Sequence, residues 1–160
     1  MKYLVFISLF YTSIISAETN NIELLNEWKS RGFSQVRINF PSDNFQVVQA
    51  VITDDTEGKQ VLEFRYFTKK GKECTSRNIN KSSDVVVKIN STRVKMKAGC
   101  KSAMFSKYIG YYATTKKGRE YIKNEFTVTA KVLVELQGLK LNFPTQGFTT
   151  AWNKYGGDAI

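Results

Sequence analysis

The segment RVKMKAGCK, Arg93 to Lys101, places Val94, Met96, Ala98 and Cys100 on one parity and Arg93, Lys95, Lys97 and Lys101 on the other. A β-strand points successive side chains to opposite faces of its sheet, so this spacing describes a strand with one oily face and one almost wholly cationic face. The preceding VVVKIN, Val85 to Asn90, reads as its partner. With Ser91 and Thr92 as a tight turn, Ile89 is expected opposite Val94, Val87 opposite Met96 and Lys88 opposite Lys95. Two facing lysines cost a few tenths of a kcal/mol to about 1 kcal/mol unless an anion or a carboxylate compensates. The predicted partner-binding row is therefore Lys88, Arg93, Lys95, Lys97 and Lys101.

The rest of the chain repeats the period-two pattern with interruptions. Val36, Ile38 and Phe40 alternate with polar neighbours, and Phe45 to Thr53, Gln60 to Thr68, Thr127 to Leu136 and LKLNF from Leu139 read as further strands separated by polar turns. Asn20 followed by Glu23 offers a capping box, and Ile22, Leu25 and Trp28 fall on one face, which predicts an N-terminal helix from Asn21 to Arg31 ending at Gly32. Thr114 or Thr115 can cap an internal helix whose stripe is Tyr121, Ile122 and Phe126. Phe148, Ala151, Trp152 and Tyr155 predict a short C-terminal helix. The aromatic run MFSKYIGYY, Met104 to Tyr112, reads as a loop. Together these give an α+β fold: an antiparallel sheet of about six or seven strands with three helices and one disulfide.

Met1 and Lys2 precede an apolar run, Tyr3 to Ser16, closed by Ala17 and a polar stretch. This is the pattern of a secretory signal peptide over residues 1–17, cleaved after Ala17, leaving one exported domain over 18–160. A membrane anchor is the alternative, but a span needs roughly 20 apolar residues and this run is shorter and carries four Ser or Thr. An exported compartment permits oxidation, so the two cysteines, Cys74 and Cys100, are expected to pair rather than stay as free buried thiols.

The chain carries a formal net charge of +10, concentrated between Lys59 and Lys123, where 17 Lys or Arg face four acids. Such a patch attracts acidic partners and speeds their encounter. Histidine is absent. That removes Ser-His-Asp and Cys-His catalysis and histidine-ligated metals, and no nucleotide-binding or nucleophile-elbow motif is present. No cofactor, metal site or catalytic residue is predicted. Carboxylate pairs of the glycosidase type need no histidine, which leaves a histidine-free cell-wall hydrolase as an alternative. Asp54, Asp55 and Glu57 form the densest acidic cluster, but DDTEGK lacks the ligand alternation of a calcium loop and reads as a solvated turn. Aromatics interleaved with Lys and Arg are compatible with single-stranded nucleic acid, but aromatics in strands are usually core, and for an exported chain lipid headgroups, lipopolysaccharide phosphates or an acidic protein are the commoner anions. The sequence thus points to a small exported, non-enzymatic binding protein, a periplasmic inhibitor or immunity-type protein with an acidic protein partner.

Overall fold

Asn90 and Ser91 both adopt positive φ, 44° and 70°, and this two-residue turn sets the register of the central hairpin. Two left-handed residues in succession match the twist of the strands they join. Asparagine tolerates that region, whereas β-branched Thr92 is far better kept extended. The computed structural model describes residues 22–24, 28, 32–38, 46–68, 74, 79, 81–103 and 106–155. In it β5 (Ser82–Ile89) and β6 (Thr92–Ala103) pair antiparallel with Ile89 opposite Thr92, Val87 opposite Val94 and Lys88 opposite Arg93. The expected Ser91–Thr92 turn and the Lys88–Lys95 pair are thus replaced by a register two residues shifted. A shift of two keeps every side chain on its expected face.

The other strands are β1 (Ile22–Leu24), β2 (Phe33–Ile38), β3 (Gln46–Asp54), β4 (Gln60–Thr68), β7 (Ser106–Ala113), β8 (Lys131–Leu136) and β9 (Leu139–Pro144). They form one antiparallel sheet in the order β1-β2-β3-β4-β7-β6-β5-β8-β9, and β2 and β9 approach one another so that it curls almost into a barrel. Helix α1 (Lys116–Val128) and the short α2 (Phe148–Lys154) close the concave side. Thr115 caps α1 by accepting from the Gly118 amide at 3.0 Å. The predicted α+β fold with an N-terminal helix is therefore corrected to a nearly closed antiparallel barrel with two helices among the described residues. Ile22 to Leu24 pair with Ile38 to Val36 as a strand. Ladder bonds to β2 outcompete the local capping signal, because helix propensity is worth only tenths of a kcal/mol per residue. The signal peptide and cleavage after Ala17 lie outside the described residues.

The core gathers on the inner face. Phe64, Phe126, Phe143 and Phe148 are fully buried, and Trp28 meets Phe126 and Phe148 edge-on with centroids 5.8 and 5.0 Å apart. Edge contacts of this kind add about 0.5–1.5 kcal/mol beyond area burial. The Trp28 indole donates to the Pro144 carbonyl at 2.9 Å, so its one polar atom is satisfied in the interior. Val94 and Met96 are buried as their parity predicts. Cys74 and Cys100 form the expected disulfide, with Cα atoms 5.4 Å apart and a sequence separation of 26. Closing a loop of that length stabilises by about 3.5 kcal/mol in the chain-entropy model.

Ser91 holds a left-handed conformation that a Cβ disfavours, while glycine occupies it freely. Ser91→Gly is expected to raise stability by about 0.5–1 kcal/mol, read as a higher urea midpoint with unchanged slope.

Candidate cationic interface

Register places Arg93, Lys95, Lys97 and Lys101 of β6 on the convex face, with Lys88 beside Arg93 on β5. They do not form one row. Lys88 reaches Glu135 of β8 at 3.4 Å, so a carboxylate offsets the repulsion between Lys88 and Arg93. Asp84 lies across the ladder from Lys97, and half-exposed Val86 lies across from Lys95.

Lys101 belongs to a different arrangement. Its Nζ lies 2.5 Å from Oε1 of Glu63, whose Oε2 takes the Arg65 Nε at 2.7 Å. Glu63 is 1% exposed, the single buried charged residue among those described. It sits above Gly110, where a Cβ would fall 2.3 Å from the carboxylate oxygen, so only glycine leaves room for it. Rings complete the seat. Arg65 lies 5.1 Å over the Tyr108 ring and Lys101 5.3 Å over that of Tyr112, while Phe67 packs on Tyr108 with centroids 5.1 Å apart. Burial pushes the Tyr108 phenol above its ordinary pKa, and the nearby Glu63 charge adds to the rise, so the ring stays neutral at physiological pH. Both Glu63 oxygens are therefore occupied by cations of the same sheet.

A cleft of about 170 Å³ brings Asp54 and Asp55 near Glu63, Lys101 and Tyr112. Asp55 spends its carboxylate on the turn, accepting from the Glu57 and Lys59 amides at 2.9 Å each. The Lys59 amide bond is the main reason that its pKa lies below the usual value, with Arg119 contributing from 3.9 Å. DDTEGK is thus a hydrogen-bonded turn. Among the described residues no three acid or thiol side chains converge as a metal-binding group.

Arg93, Lys95 and Lys97 remain exposed, and among the described residues no carboxylate lies within ion-pair distance of them. Two clefts flank them. One of about 320 Å³ lies between the start of β6 and the first turn of α1, lined by Arg93, Lys95, Thr115, Lys117, Gly118 and Tyr121. The other, about 300 Å³, is lined by Asp84, Val86, Lys95, Met96 and Thr114. Lys95 is common to both. The approach of α1 depends on Gly118, whose missing Cβ would lie 3.1 Å from Val94 Cγ1. Lys117 joins the row only through this packing, so strand parity could not reveal it. No protein-family model matches the chain, and searches of curated proteins and of solved structures found no similar protein.

The division between Lys101 and the exposed lysines is testable. Lys101→Ala removes one of two partners from a buried carboxylate and is expected to cost about 1.5–3 kcal/mol, at the lower end because the Lys101 side chain is 39% exposed. Lys95→Ala and Lys97→Ala should each change stability by less than about 0.5 kcal/mol in urea denaturation.

Proposed function

We propose that this is an exported, non-enzymatic binding protein of the inhibitor or immunity type, which engages an acidic protein partner through Arg93, Lys95, Lys97 and Lys117. One observation carries the reading. Glu63 and Glu135 neutralise Arg65, Lys101 and Lys88 of the same sheet, whereas Arg93, Lys95, Lys97 and Lys117 stand exposed and close together without a carboxylate in ion-pair reach among the described residues, and Arg93, Lys95 and Lys117 line an open cleft. Uncompensated like charges on a folded surface repel one another, and an acidic partner relieves that repulsion while steering encounter. Half-exposed Val86, beside Lys95, supplies an apolar contact amid the charges, as interface patches commonly do. The disulfide accords with an oxidising compartment such as the periplasm. No helix among the described residues is long and apolar enough to cross a membrane.

The test is capture from envelope extract at low and high salt, with the Lys95→Glu/Lys97→Glu variant beside the native protein. One stoichiometric protein partner is expected, with association slowed about tenfold or more by the double reversal and with folding stability held within roughly 0.5 kcal/mol. Heterogeneous, salt-labile capture of lipopolysaccharide or nucleic acid would replace the protein-partner reading with polyanion binding. Unchanged rate and salt dependence would remove the row from function altogether.

A further inference from the structure

We infer that the cleft between β6 and α1 receives an extended acidic segment of the partner protein, which pairs main chain to main chain with Arg93. This deepens the proposed function and rests on it. The turn closes on Ile89 and Thr92, and opposed residues of an antiparallel ladder alternate between pairs that exchange both main-chain bonds and pairs that exchange none. Ile89 and Thr92 are the bonded closing pair, so Lys88 and Arg93 are a non-bonded pair, and the Arg93 N–H and C=O face away from β5. A second contact fixes the same direction. The Thr114 amide donates to the Lys95 carbonyl at 3.3 Å on the far side of β6, and Arg93, two residues earlier, points the same way.

Strand β7 ends at Ala113 and the chain turns into α1 at Lys116, so β6 runs on past its neighbour. Neither main-chain group of Arg93 has a partner there among the described residues. The gap is the 320 Å³ cleft, at the low end of the ~300–1,000 Å³ typical of ligand pockets and suited to a short stretch of chain. Charge selects the occupant. Arg93, Lys95 and Lys117 line the cleft, and the first turn of α1 carries no acidic residue. The Gly118 amide is already taken by Thr115, so the helix end is not the anchor. An added strand supplies main-chain bonds for affinity, while its alternate side chains meet the cations.

The probe is an acetylated, amidated hexapeptide of alternating Glu and Val, titrated into the native protein at low salt, with amide hydrogen exchange followed residue by residue. Exchange at the Arg93 amide is expected to slow by about tenfold or more, with smaller changes at Lys97 and beyond, where β7 already pairs. Lys117→Glu should weaken binding about tenfold, and the counterpart peptide with Lys for Glu should not protect Arg93. Protection of Arg93 by inorganic phosphate to the same extent would overturn the inference, since a free anion would then suffice. Binding of the acidic peptide without protection at Arg93 would also overturn it. Those results leave the captured partner and the effect of Lys95→Glu/Lys97→Glu standing, whereas the absence of any acidic protein partner in the capture experiment removes both readings together. Self-association that protects Arg93 without peptide would assign the cleft to a second copy and equally overturn the inference.

Discussion

The sheet is narrowest where β5 meets β8, and Asn90 holds that joint. Only Lys88–Glu135 and Ile89–Val134 are in register there. Asn90 extends the join from the turn: its amide donates to the Leu133 carbonyl at 2.9 Å, and its side-chain oxygen accepts from the Leu133 amide at 2.8 Å. Its Nδ2 then reaches Glu125 of α1 at 2.7 Å, and the Tyr121 hydroxyl donates to the adjacent Ile89 carbonyl at 3.0 Å. One left-handed residue therefore fixes the hairpin register, attaches the β8–β9 hairpin and seats the helix. The wall of the cleft follows from that seat, because Tyr121 and Lys117 travel with α1. Alanine here would leave the Leu133 amide short of an acceptor at a joint too small to tolerate it.

A strongly basic chain is sorted by a few carboxylates into structural and free charges. Glu63 takes Arg65 and Lys101 out of circulation, Glu135 engages Lys88, and Asp55 draws on Arg119. Among the cations left without a carboxylate, Arg93, Lys95, Lys97 and Lys117 gather at one end of β6. A cluster of four such side chains within a basic surface favours one orientation of an acidic partner, which is how electrostatics contributes specificity as well as speed.

Much of the barrel was legible as period-two alternation, because Val94, Met96, Phe64 and Leu141 each had polar or charged neighbours to contrast with. The strand β7 was not. Ile109, Tyr111 and Ala113 face the core, but Tyr108 is also buried, under Arg65 on the other side. Apolar residues on both faces erase the alternation, so the segment resembles an aromatic loop. Strand β1 failed for a different reason: three residues are too few to show a period, and their pairing with β2 comes from tertiary contact. At the interface the sequence revealed which residues share a face, and Arg93, Lys95 and Lys97 stand where parity put them. It could not reveal that Lys101 is claimed by Glu63, since a lone Glu among apolar neighbours carries no mark of its partners. Nor could it bring Lys117 to the row across a helix–sheet contact.

The glycine beneath Glu63 has a consequence for how this chain can vary. With the carboxylate in place, every side chain at position 110 collides with it, and with the carboxylate gone the two cations lose their shared counterion. Loss of the arrangement thus takes one change, at either residue. Glu63, Gly110, Arg65 and Lys101 therefore constrain one another, and a change at any one of the four leaves the others without the contact that fits them.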